Sequence, residues 1–464
     1  MSSDINNEEL SYDDLTPVYK DISDGNYNRA LLTLDTLSQQ FQDNHNLYVI
    51  GGECYFNLQQ YELAISCYDE SIRIRPDIAD TYNSKGNALL SLQKFDEAIS
   101  IFKIAIKIKP DFDIAFFNIG ICAMHIRSYE LSIESFDMAI KLQPYVEKYK
   151  FAKSTLLLLY EDFKNGWVLY ESRWKMDKLF SPKLQTTFPL WTGNKDAKLL
   201  VWPEQGIGDQ IMHSALLREL KNKCSNLTVI VDPRLVELLT RSMGDICTFY
   251  PDSVNVNELD YDEHIAIGSL CQYLRSDEKY FENTRNGFLK DDITSTAQIK
   301  KNLHDLAIIS SNKILGISWR SQNSDLGDHK SIRLKNLIES LNLEGYIFVS
   351  LQYGDTADEI KEVKNELGID VITYEKVDNF NDIDGLVSLV QACDTVISID
   401  NLTCQLAGAL GKEIHILLTH GSVWLWGVNR SDSLWYSSVK IYRQEANENT
   451  WLGLFQRLKL NLNE

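Results

Sequence analysis

Basic residues are scarce in this chain. Its 464 residues hold 46 Lys and Arg against 66 Asp and Glu, a formal net charge of −20. That deficit argues against broad binding to nucleic acid or anionic lipid, since both need a basic surface, although a local basic pocket stays open. Long apolar runs are missing too. The longest, Leu156–Tyr160 in STLLLLY, is far too short to cross a bilayer, so no membrane insertion is expected. The eight cysteines are scattered, with no C-x-x-C pair and no zinc spacing, as expected of reduced thiols in a cytoplasmic protein. The first residues, MSSDINNEEL, are too polar and acidic for a signal peptide. Residues 1–10 are expected to be disordered. What remains is ordinary globular composition, 44% apolar and 24% charged, on a chain long enough for two to four domains.

The first third repeats itself every 34 residues. Gly52, Gly86 and Gly120 keep that step, and so do Pro76, Pro110 and Pro144. Aromatic residues follow it at Tyr27, Tyr61, Phe95, Tyr129 and Phe163, and again at Tyr68, Phe102, Phe136 and Tyr170. Small residues share it at Ala30, Ala64, Ala98, Ser132 and Gly166. Small side chains let paired helices approach, aromatics fill the gap, and proline ends the second helix because it lacks an N–H. The pattern resembles the tetratricopeptide repeat (TPR), most plainly in DTYNSKGNALLSLQKFDEAISIFKIAIKIKP, and covers residues 11–178. Stacked repeats form a solenoid with a concave groove. Such a groove is expected to bind a protein or peptide; a rigid spacer or a homo-oligomer interface are the alternatives.

Residues 179–196 hold two prolines and a glycine and lack helical period, so they read as a linker. Beyond them short apolar runs alternate with helical patterns. KLLVW (198–202), LTVIVD (227–232), CTFYP (247–251) and HIAIG (264–268) form one group. ILGISW (314–319), YIFVSLQ (346–352), DVITY (370–374), TVISID (395–400) and EIHILL (413–418) form another. Strands buried on both faces and separated by helices imply parallel sheets. The expectation is two Rossmann-like domains, 197–310 and 311–445, joined by a polar helix near 291–309 and followed by a C-terminal helix in 446–464. Ligands of such sheets sit in the crevice at the strand C-termini.

The stretch VWPEQGIGDQIMHSALLREL falls where that crevice belongs. Gly206 and Gly208 permit close backbone approach, and the helix start that follows favours an anion. By itself the loop is either a tight turn or a chemical site. It is not the dinucleotide fingerprint, whose third glycine position is Ile211 here. A second junction, Asp400-Asn401-Leu402-Thr403, joins a strand to a helix carrying Ala407, Gly408 and Ala409. Its free N–H groups suit a diphosphate, or Asp400 simply caps a closely packed helix.

Together, VWPEQGIGDQI, GISWRSQNSDLGDHKSI, FVSLQYGD, SIDNLTCQLAGALGK and DSLWYSSVKIYRQ resemble the heptosyltransferase family of lipopolysaccharide synthesis. The chain is more similar still to TPR-bearing bacterial glycosyltransferases, and shares a broad architecture with protein O-GlcNAc transferases. The resemblance spans about 197–445. It implies a TPR solenoid followed by a GT-B pair of Rossmann-like domains, an α plus α/β chain, acting on a nucleotide-sugar donor without a metal or other cofactor. It implies Asp209 as general base. Trp319, Arg320, Lys330, Gln352, Tyr353, Asp400, Asn401, Leu402, Thr403 and His420 would face the donor. Glu204, Gln205, Gly206, Gly208 and His213 would lie on the acceptor side. Where heptosyltransferases show Asp-Thr-Gly and then Ser-His-Leu-Ala, this chain has Asp400-Asn401-Leu402 and Cys404-Gln405-Leu406-Ala407. That departure leaves the sugar open and admits a non-catalytic scaffold. The repeats favour a protein acceptor; the remainder favours a glycan or lipid-linked sugar. Trp424, Trp426, Trp435 and Tyr436 are read mainly as core.

Overall fold

The computed structural model describes residues 10–176, 181–307, 313–321, 330–421, 423–445, 448 and 450–462. The disorder expected of residues 1–10 concerns a segment almost wholly outside them. The chain divides into two compact units, Met1–Leu156 and Leu157–Glu464.

The first unit is built of antiparallel helix pairs: α1 (Tyr12–Ser23) with α2 (Tyr27–Gln40), α3 (His45–Asn57) with α4 (Tyr61–Ile74), α5 (Ala79–Ser91) with α6 (Phe95–Ile108), and α7 (Asp113–His125) with α8 (Tyr129–Leu142). The 34-residue columns meet in space. A Cβ added at Gly52, Gly86 or Gly120 would fall 2.4, 2.4 or 2.6 Å from the ring of Tyr68, Phe102 or Phe136. Only a bare α-carbon lets each ring lie flat on the partner helix. Ala30, Ala64, Ala98 and Ser132 are wholly buried for the same reason. Pro76, Pro110 and Pro144 follow directly on the C-cap residues of α4, α6 and α8. A further column escaped the sequence reading. Gly25, Gln59, Gln93, Arg127 and Glu161 all turn at positive φ, between 57° and 76°, where one helix hands over to the next. α9 (Glu147–Leu159) straddles the division between units, and α10 (Phe163–Tyr170) belongs to the second.

The second unit holds two all-parallel sheets. β1 (Lys198–Trp202), β2 (Asn226–Val231), β3 (Thr248–Pro251) and β4 (Glu263–Ala266) form the first, in the order β3-β2-β1-β4. β5 (Lys313–Ser318), β6 (Tyr346–Ser350), β7 (Val371–Thr373), β8 (Thr395–Ile399), β9 (Ile414–Leu418) and β10 (Val439–Arg443) form the second, in the order β10-β9-β8-β5-β6-β7. Counted from β5, that order is 3-2-1-4-5-6, the doubly wound arrangement. β10 is a strand the sequence reading did not name. It is an edge strand whose residue Lys440 faces outward, so its apolar run is broken.

The strands are apolar because helices cover both faces. Trp319, Leu334, Leu337, Phe348, Ile397 and Phe455 share the core of the second sheet. The segment read as a linker packs closely on the first: Trp191 is buried, its backbone N–H donates to the His264 carbonyl at 2.9 Å, and Leu184 joins the Leu200–Ile230–Tyr261 cluster. The polar helix expected near 291–309 runs from Ile293 to Leu306, and the C-terminal helix from Leu452 to Leu462.

Candidate functional site

In each sheet the strand order reverses at one place, between β1 and β4 and between β5 and β8. Loops leaving the carboxyl ends there diverge and open a crevice. The two quoted stretches occupy those points: Pro203–Gly206 follows β1, and Asp400–Asn401 follows β8. α11 (Ile207–Ser214) and the helix Leu402–Ala409 then pack together, close enough that a Cβ at Gly208 would meet Gln405 Cγ at 3.3 Å. A cleft of about 510 Å³ opens beside this contact. Its wall combines Gln205, Gly206, Ile207, Gly208, Gln210, Asp232 and Arg234 with Tyr353, Asn379, Phe380 and Leu402.

Asp209 lies in the first turn of α11. The Gly206 N–H donates to its Oδ2 at 3.1 Å, so the carboxylate caps its own helix. It is not on the cleft wall itself, although its neighbours 206–208 and 210 are. The residue keeps some exposure, while its carboxyl is largely surrounded by protein. Burial pushes that carboxyl up to about 6; the Gly206 N–H works against the rise, and the charges of Asp400 and Glu204 add to it.

The second-sheet residues are mutually engaged. Asp400 accepts from Trp426 Nε1 at 3.0 Å and from Lys330 Nζ at 3.4 Å. Arg320 pairs with Glu359 at 3.2 Å and donates to the Asp355 carbonyl. Asn401 caps the helix Leu402–Ala409 by accepting from the Thr403 N–H at 3.0 Å, while its amide donates to Ser318 Oγ at 2.8 Å. Gln352 accepts from the Trp319 and Arg320 N–H groups at 2.9 and 2.8 Å, fixing the turn after β5. Thr403 is buried, and its hydroxyl has no partner among the described residues. His420 follows β9 and is partly buried. Tyr353 and Leu402 reach the cleft directly; the Tyr353 ring lies 6.1 Å from that of Phe380.

Three expectations are corrected. Glu204 is not open to an acceptor. It is 3% exposed, bound through both oxygens by Arg173 at 2.7 and 2.8 Å, and accepts the Gly268 N–H at 2.9 Å. His213 is 1% exposed and packs edge-on against Trp435, so it faces no acceptor. Burial, aided by the Arg173 charge, pushes its imidazole down to about 3. Trp319 is 0% exposed in the second-sheet core, with its indole N–H on Glu359, so its side chain does not face the cleft as expected of a donor residue. Gln205, by contrast, is on the wall, held by its amide to the Tyr170 hydroxyl at 2.6 Å. Trp426, Trp435 and Tyr436 are buried core, and Trp424 packs on Trp167.

Gln210, Asp232, Arg234, Asn379 and Phe380 were missed. Asp232 and Arg234 follow β2 immediately, so the strand-end rule would have found them. Asn379 and Phe380 lie in a turn whose course only the fold sets. Among the described residues no three His, Cys, Asp or Glu side chains converge as a metal-binding group.

Residues 83–147 match the family model of the tetratricopeptide repeat, and residues 23–104 that of anaphase-promoting complex, cyclosome, subunit 3. The helix pairs of the first unit are tetratricopeptide repeats. Protein FlbA of Caulobacter vibrioides is 30% identical over 316 residues, 64% of this chain and 52% of FlbA. The chain thus spans about half the length of that curated relative. Among solved structures, MamA from Desulfovibrio magneticus RS-1 aligns at 18% identity and a TM-score of 0.32, covering 35% of this chain and 90% of its own. YrrB, described as a TPR protein with an unusual peptide-binding site, aligns at 16% identity and a TM-score of 0.31, covering 36% and 86%.

Proposed function

We propose that this chain is an inverting glycosyltransferase of the GT-B type, moving a sugar from a nucleotide-sugar donor to a hydroxyl of a polypeptide bound by the repeats. The single observation that carries the reading is the convergence of both switch-point loops beside one cleft, with a carboxyl of raised pKa in the first turn of α11. Asp209 takes the proton of the acceptor hydroxyl, whose oxygen attacks the anomeric carbon as the nucleoside diphosphate departs. A carboxyl titrating near 6 is ionised at neutral pH yet basic enough to help. Lys330, Arg320 and the N–H groups starting the helix Leu402–Ala409 stabilise the leaving charge. Lys330 and Arg320 exchange Asp400 and Glu359 for phosphate when they do so.

The test is a panel of nucleotide-sugars carrying labelled sugar, with label followed into polypeptide and glycan fractions, beside thermal unfolding with each nucleoside diphosphate. Asp209→Asn should lower turnover by about 10²- to 10⁴-fold and keep the nucleotide-dependent thermal shift. Lys330→Ala should weaken both. Equal loss of the thermal shift in the two variants would overturn these roles. Label entering only glycan would overturn the polypeptide acceptor. A second reading, a scaffold without catalysis, is favoured by Gln405, which stands where the heptosyltransferase pattern that this chain resembles has histidine, and which is buried and accepts from the Tyr436 hydroxyl at 2.7 Å. Absence of any nucleotide-dependent stabilisation would select it.

A further inference from the structure

The motif NGWVLYESRWK (165–175) lies in the last repeat, and its Tyr170 occupies the aromatic column filled earlier by Tyr68, Phe102 and Phe136. The glycine those rings rest on is replaced in this repeat by Ser154. The Tyr170 hydroxyl instead accepts from Gln205 Nε2 at 2.6 Å. One turn further on, Arg173 is 2% exposed. It donates through Nε and Nη2 to both oxygens of Glu204, through Nη2 also to Ser269 Oγ at 2.8 Å, and through Nη1 to the Tyr170 carbonyl and Glu171. Its guanidinium lies 4.4 Å from the Tyr170 ring centre and 4.6 Å from that of Trp174. Glu204 closes the network on the Gly268 N–H, where a Cβ would come within 2.5 Å of Oε1.

The restrained residues are consecutive. Glu204 is held by Arg173; Gln205, at a φ of 59°, by Tyr170 and by Ser181 Oγ at 2.6 Å; and Gly206 by the Asp209 carboxylate. An apolar cluster of equal volume would stabilise the fold as well as a buried ion pair does. What the ion pair adds is a fixed geometry for the loop between β1 and α11.

We propose that Arg173 and Tyr170 are positioning residues for the proposed base. Through Glu204 and Gln205 they fix the loop that sets the direction and surroundings of the Asp209 carboxyl. This rests on the transferase reading for its consequence and on the geometry for its existence. Asp209 is faced by Glu204 from its own loop, by Tyr170 from α10, by Asp400 with its partner Lys330 from the turn after β8, and by Tyr436 beyond them; its own backbone carbonyl neighbours His213.

The test uses the full chain and four variants: Tyr170→Phe, Arg173→Lys, Arg173→Met and Glu204→Gln. Amide hydrogen exchange of a peptide covering 203–210 reads loop order without reference to activity. Tyr170→Phe, which keeps the ion pair, should speed exchange there about tenfold, the loss of one hydrogen bond. Arg173→Lys should fall between wild type and Arg173→Met. In labelled-sugar transfer, Arg173→Met should lower kcat about 100-fold with the nucleoside diphosphate thermal shift retained, as a misdirected base would. The acid limb of the kcat profile should move down in Glu204→Gln, because that variant removes a negative charge beside Asp209. Unchanged exchange in Tyr170→Phe and Arg173→Lys overturns the proposal, and Tyr170→Phe decides if Arg173→Met fails to fold. If wild type transfers no sugar from any donor, the transferase reading falls and the exchange result alone judges the positioning.

Discussion

Asp209→Asn should make this protein more stable at neutral pH, and the size follows from its surroundings. An aspartate in an unfolded chain titrates near 3.8, and in the folded protein this one titrates near 6. The folded state therefore binds the extra proton between those values. Stability is full below about 3.8 and is lost as pH rises through about 6, the reverse of a salt-bridged carboxylate. The displacement corresponds to at most about 3 kcal/mol. Residual exposure of Asp209 screens it, so a gain of about 1–2 kcal/mol is expected. Asparagine keeps the cap, because its Oδ1 can still accept the Gly206 N–H. Urea unfolding of both proteins from pH 4 to pH 8 should show curves that meet near pH 4 and separate to a plateau above about pH 7. The window includes the pI of about 4.9, so low protein concentration is needed against precipitation. The transition to follow is that of the second unit, since a chain of two units need not unfold in one step. Equal stability at pH 7, or a less stable variant, would refute the claim that protein encloses this carboxyl.

Three further outcomes test the packing. Gly86→Ala gains about 1 kcal/mol in helix propensity but drives a Cβ to 2.4 Å from the Phe102 ring, so a net loss of about 1–2 kcal/mol is expected by thermal unfolding; a raised Tm would contradict the ring-on-glycine contact. Gln59→Gly relieves a left-handed backbone at φ 60° and should stabilise by about 0.5–1 kcal/mol, read as an increased urea midpoint. Trp319→Ala should cost about 3–5 kcal/mol of stability, with whatever nucleotide affinity the remaining fold shows left unchanged; a selective loss of nucleotide binding would return Trp319 to the cleft.

The 34-residue columns and the apolar runs were legible because each records a local constraint. A ring needs a bare α-carbon opposite it, and a strand covered on both faces needs apolar residues throughout. β10 escaped because an edge strand exposes one face, and Lys440 interrupts its pattern. The left-handed column escaped because Gln59, Gln93, Arg127 and Glu161 share a backbone angle and no side-chain chemistry.

The sequence by itself determined the repeat array, the alternation of strands and helices, and the two junctions at Gly206–Asp209 and Asp400–Thr403. Those are properties of neighbouring residues and of spacing along the chain. Only the tertiary structure decided which polar residues are free for chemistry. Glu204 and Arg173 stand 31 positions apart, and Trp319 and Glu359 stand 40 apart. Charge pairing and burial depend on distance in space, and spacing along a chain carries no record of which distant side chain will fill a partner's hydrogen-bonding capacity.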